Sequence, residues 1–85
     1  MSSYLEMSYR HGRPFAAYLH FFLSPGVASF CRELPHGLVL DLDANRQPIG
    51  LEITSPGENT AAQILEVLRG LGIDCLPEDL APLAA

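Results

Sequence analysis

Apolar and polar side chains alternate most strictly at residues 38–43 (LVLDLD), where every second position is a leucine. A period of two marks a strand with one buried face. Residues 4–9 alternate in the same way, and residues 15–23, 28–34 and 49–54 read as three further strands, the first of them apolar on both faces. Turn residues separate them. His11, Gly12, Arg13 and Pro14 close the first pair. Ser24, Pro25, Gly26 and Val27 suit a type II turn, with Pro presetting φ and Gly supplying a positive φ. Pro35, His36 and Gly37 make a three-residue connection, and residues 44–47 turn the chain again. The period then lengthens. Ala61, Ile64, Leu65, Leu68 and Leu71 recur at helical spacing and predict a helix over residues 58–70. Two capping boxes compete for its start, Ser55 with Glu58 and Thr60 with Gln63. Gly70 or Gly72 ends it, and a Pro- and Ala-rich tail follows at residues 73–85.

Strands first and a helix last predict a single α+β domain: an antiparallel β-meander of about five strands over residues 4–54, with one C-terminal helix packed on one face. The turns set an expected register. The turn at Pro25-Gly26 places His20 opposite Cys31, the Pro35–Gly37 connection places Cys31 opposite Asp41, and the next turn places Asp41 opposite Gly50. One face then carries Ala17, Leu19, Phe21, Phe30, Leu34, Leu38, Leu40, Leu42, Ile49, Leu51 and Ile53, and needs the helix. The other carries Tyr18, His20, Phe22, Ser29, Cys31, Glu33, Val39, Asp41, Asp43 and Glu52.

Composition narrows the function. A chain of 85 residues makes one small domain with a thin core, and a 48% apolar content gives it surplus to bury against a copy of itself. The net charge of −5 argues against nucleic acid or an anionic membrane as partner. The charge is uneven: residues 1–46 balance four acids with four arginines, whereas residues 47–85 set six acids against Arg69 alone. An acidic C-terminal half suits a basic partner protein, or is simply a solvated face. The chain has no lysine, which excludes Schiff-base chemistry and lysine-dependent phosphate loops. Cys31 and Cys75 do not make a disulfide framework, no apolar signal segment opens the chain, and AAYLHFFL is too short to span a bilayer. The expected setting is the cytoplasm.

The expected register yields one chemically suggestive row, His20, Cys31 and Asp41. A thiol between an imidazole and a carboxylate could be an activated nucleophile or, with Glu33, a metal site. The order opposes catalysis, because in a working triad the histidine lies between the other two. No paired-ligand spacing links His11, His20, His36, Cys31 and Cys75, so neither a metal nor another cofactor is expected. Asp41, Asp43 and Asn45 mimic the start of a calcium loop but lack its glycine and distal glutamate. Tyr18, Phe22 and Val39 form an apolar patch on the face away from the helix and are the candidate interface. Arg10, His11 and Arg13 make a small basic turn.

Residues 38–53, LVLDLDANRQPIGLEI, resemble a family of small bacterial proteins classed as a domain of unknown function, with the hairpin pattern V-L-V-D-x-D-x-x-G-x-x-x-G-I-E-I. Tyr9 and residues 15–19 resemble the family's upstream part. Arg46 stands at the pattern's turn glycine, Phe15 at a usually acidic position, and one extra residue lies between Tyr9 and Tyr18. The resemblance implies the β-meander and brings no activity, cofactor or catalytic residue with it.

The leading expectation is a non-enzymatic protein-interaction module that self-associates as a homodimer, through the face bearing Tyr18 and Phe22 or through an exposed edge strand. The alternatives are a regulatory partner binding another protein through its acidic C-terminal half, and a thiol- or metal-dependent enzyme using Cys31, His20 and Asp41. A ligand binder with a pocket between helix and sheet is disfavoured by the thin core.

Overall fold

The computed structural model describes residues 4–23 and 26–84. Five antiparallel strands form one sheet: β1 (Tyr4–Arg10), β2 (Arg13–His20), β3 (Phe30–Leu34), β4 (Leu38–Leu42) and β5 (Pro48–Ile53). One helix follows, α1 (Ala61–Gly70), and then a 3₁₀ segment, Pro77–Ala84. The expected α+β class and five-stranded antiparallel sheet are present.

The meander needs one correction. The order across the sheet is β1-β2-β5-β4-β3, so sequential pairing breaks between β2 and β3. β2 pairs with β5, not with β3 as the expected register had it, and β3 becomes the far edge. The type II turn expected at Pro25-Gly26 falls partly outside the described residues. What flanks it is a crossing connection rather than a hairpin, since β3 begins only at Phe30.

The other turns hold the predicted strand partners. His11 and Gly12 both take positive φ (53° and 76°), the two-residue turn whose twist suits a hairpin, and Arg10 faces Arg13 across it. The Pro35–Gly37 connection sets Leu34 opposite Leu38 and Cys31 opposite Asp41, as expected. Between β4 and β5, the Asp43 carboxylate accepts from the backbone N–H of Asn45 (2.8 Å) and of Gln47 (2.9 Å). Asp43 is buried and organises the turn, which accounts for the calcium-like spacing without an ion. Arg46 there takes φ 64°. The β1–β2 and β4–β5 hairpins each carry one irregularity, after Ser8 and after Asp41, where Phe15 and Ile49 respectively are the extra residues.

Leu19, Leu38, Leu51, Ile53, Ile64, Leu68 and Leu80 are fully buried. They come from three strands, the helix and the 3₁₀ segment, so the cover on the core face is double. α1 begins at Ala61 rather than at residue 58, and Thr60 is its N-cap: the Thr60 hydroxyl accepts from the Gln63 backbone N–H while the Gln63 side chain accepts from Thr60 N–H. That selects the second of the two competing capping boxes. The chain leaves α1 through Gly72 (φ 75°), with Gly72 N–H donating to Arg69 and Ile73 N–H to Leu68. The tail then returns over β1 and α1, where it inserts Leu80 into the core.

Candidate functional site

The side of the sheet opposite the core is left uncovered by the described residues. Its geometry follows from register. Residues directly opposite on neighbouring strands share a face, and two rows of five cross the sheet. The first row is Tyr4, His20, Gly50, Asp41 and Cys31; the second is Glu6, Tyr18, Glu52, Val39 and Glu33.

Gly50 is the centre of the first row and shapes it. A Cβ there would collide with the Tyr18 ring, so the missing side chain leaves a trough that the ring fills. Lying diagonally over Gly50, Tyr18 reaches β4 and donates its hydroxyl to Asp41 Oδ2 at 2.9 Å. Burial, together with that bond and the nearby charges of Asp41 and Glu52, holds the phenol well above the usual tyrosine range. The phenol is therefore a fixed donor rather than a base. Glu52 is also raised, first by a hydrogen bond to Asp41, then by burial and by the Asp41 charge. Two carboxyls thus crowd together under one hydroxyl.

The other rings continue from Tyr18. His20 meets it edge-on at 4.7 Å between centroids, Tyr4 stacks on His20 at 4.3 Å, and Phe22 stacks on Tyr4 at 5.5 Å. His20 Nε2 donates to Glu6 Oε1 at 2.9 Å. The strip Phe22–Tyr4–His20–Tyr18 is thereby tied to carboxylates at two points. Tyr4 and Phe22, at its outer end, are about half exposed (49% and 48%).

The sequence-predicted residues separate in this frame. Cys31 does face Asp41, and Asp41 does face Gly50. His20 does not face Cys31: with β5 inserted, Gly50 and Asp41 lie between them. The partner of Asp41 is Tyr18, and the partner of His20 is Glu6. Among the described residues no group of three or more His, Cys, Asp or Glu side chains is placed to hold a metal ion. Cys75 lies on the opposite side of the molecule, where burial and the Asp79 charge push its thiol up to about 11. Tyr18 and Val39 share the second row with Glu52 between them, and Phe22 joins through Tyr4. Tyr4 and Glu6 were not singled out from sequence, and Gly50 was placed opposite Asp41 there without a role in the site. The glycine inside the alternating run at residues 49–54 was the available signal.

Hollows also lie elsewhere on the surface. One lies between the end of α1 and the tail at Leu65, Arg69, Ile73 and Cys75, and another beside Gly37 at Leu34, Val39 and Thr54. No family model, curated protein or solved structure matches the chain. No helix among the described residues is long and apolar enough to cross a membrane.

Proposed function

We propose that the chain is a non-enzymatic protein-interaction module that self-associates along the edge strand β3. The observation that carries this reading is the exposed apolar stretch leading into β3. Phe22, Leu23, Val27 and Phe30 are 48%, 57%, 80% and 44% exposed, and Cys31, Arg32 and Glu33 after them are exposed too. The opposite edge, β1, is backed by the tail; β3 has only β4 beside it. An edge strand flanked by uncovered apolar side chains is a template for another strand. A second copy meeting β3 about a twofold axis would bury both stretches and extend the sheet.

The uncovered face is a poorer surface for a twofold contact, because its two rows hold Glu6, Glu33, Asp41 and Glu52 and no arginine. The separation of His20 from Cys31 weighs against the thiol-enzyme alternative. Arg46, with the φ that a turn glycine would take, keeps the resemblance to the bacterial family of unknown function within this proposal. The free thiols of Cys31 and Cys75 suit a cytoplasmic setting.

Sedimentation and native mass measurements test the reading. The wild-type chain should run at twice its monomer mass, and Leu23→Asp with Val27→Asp should return it to monomer with an unchanged circular dichroism spectrum. A wild-type monomer at micromolar concentration, or a dimer indifferent to the double substitution, would overturn it.

A further inference from the structure

We infer that the uncovered sheet face is a docking surface for an extended, arginine-bearing segment of a partner protein. The inference shares only Phe22 with the β3-edge proposal and does not require dimer formation.

Charge complementarity is the first argument. The ten positions of the two rows hold four carboxylates and, as the only basic side chain, His20. The arginines lie elsewhere. Arg13 is in the first hairpin beside the turn, Arg32 is opposite Leu40 on the other face of β3, Arg69 is on α1, Arg10 covers the Phe15 ring and Arg46 covers the Phe30 ring. The crowding of Asp41 against Glu52 leaves negative charge that no cation of this chain neutralises among the interactions described. A segment bringing positive charge would relieve that crowding.

The second argument is the match between rings and carboxylates. Guanidinium is planar, stacks on aromatic faces and forks onto carboxylate oxygens, whereas ammonium is a compact point charge. Here half-exposed Tyr4, with Phe22 stacked on it, shares its strand face with Glu6, and Tyr18 stands beside Asp41 and Glu52. A guanidinium can therefore find a ring and a carboxylate together at each end of the strip. The rings are also held in place beforehand: Tyr18 by Asp41, and His20 by Glu6 and by the stacked Tyr4. Fixed side chains lose little entropy on binding, so the face gives contact without first ordering itself. An extended segment suits it better than a helix, since the acidic rows run straight across neighbouring strands.

The probe is a synthetic peptide alternating arginine with glycine, titrated into the full chain by calorimetry and by two-dimensional NMR. Shifts should concentrate at Tyr4, Glu6, Tyr18, His20 and Glu52. The double variant Glu6→Gln, Glu52→Gln should weaken binding about tenfold, the loss expected when two half-exposed ion pairs are removed. The variant Glu58→Gln, Glu66→Gln has the same net charge, changes residues off this face, and should bind as wild type. The lysine version of the peptide should bind more weakly than the arginine version. Equal weakening by both double variants would mean general attraction to an acidic protein and would overturn the proposal. So would shifts located on α1 or the tail, or a Tyr4→Arg variant that dissociates a native dimer, since Tyr4 lies on this face and outside the β3 stretch and its effect would make a second copy the occupant. A monomeric chain that still binds the peptide would sink the edge dimer and leave this inference standing.

Discussion

The ring of Tyr18 occupies the space that a side chain at Gly50 would need. Strand glycines ordinarily weaken a sheet, since they pack nothing and gain flexibility when unfolded. Here the neighbouring strand supplies the missing packing, and the hydroxyl gains an acceptor on the strand beyond.

This coupling can be measured. Gly50→Ala should cost about 1–3 kcal/mol, because the methyl displaces the ring. Tyr18→Ala alone should also destabilise, through lost packing and the lost bond to Asp41. In the Tyr18→Ala background the added methyl meets open space and should cost little or add stability. A thermal or urea double-mutant cycle reads the difference. Costs that simply add would show that ring and glycine are independent.

The Asp41–Glu52 pair predicts a pH dependence. Glu52 has a folded pKa above its ordinary value, so the folded state holds the Glu52 proton more tightly than the unfolded state does. Its charge therefore costs stability at neutral pH, and the cost disappears as the pH falls through the raised pKa and then the ordinary glutamate range. Glu52→Gln should stabilise the protein at pH 7, and that gain should fade on acidification. Urea midpoints measured from pH 7 down to pH 3 would reveal it; a gain constant with pH would assign it to something other than the charge.

The tail is structural. Leu80 is fully buried between α1 and the sheet-facing core, although it lies in a Pro- and Ala-rich segment. Leu80→Ala should cost about 2–4 kcal/mol and lower the melting temperature by roughly 10 °C or more. An unchanged melting curve would show that the tail contributes nothing to the core.

Much of the fold was legible in the sequence because short-range signals carry it. LVLDLD declares its strand, Pro35-His36-Gly37 declares a tight connection, and the spacing of Ala61, Ile64, Leu65 and Leu68 declares the helix, though not which of two capping boxes starts it. These local devices also placed Cys31, Asp41 and Gly50 in one row correctly. The pairing of β2 with β5 was not legible. Pro25-Gly26 resembles a hairpin turn, and a period of two sorts faces identically whichever strand lies alongside. His20 was misplaced for that reason alone. The reach of Tyr18 was missed because it runs diagonally across a glycine, a contact no alternation pattern encodes. Leu80 escaped because its segment has neither helical nor strand periodicity.

The insertion of β5 between β2 and β4 also has a consequence in time. β1 with β2, and β3 with β4 and β5, can each form from segments adjacent along the chain. The seam joining them, Ala17 to Ile53 through His20 to Gly50, cannot close until the chain has been made as far as residue 53. On the ribosome the first ribbon must therefore wait with one edge bare. Closing the intervening loop carries an entropic cost before any seam contact repays it. The same seam brings Tyr18 over Gly50, so the aromatic face is finished only when the two ribbons meet.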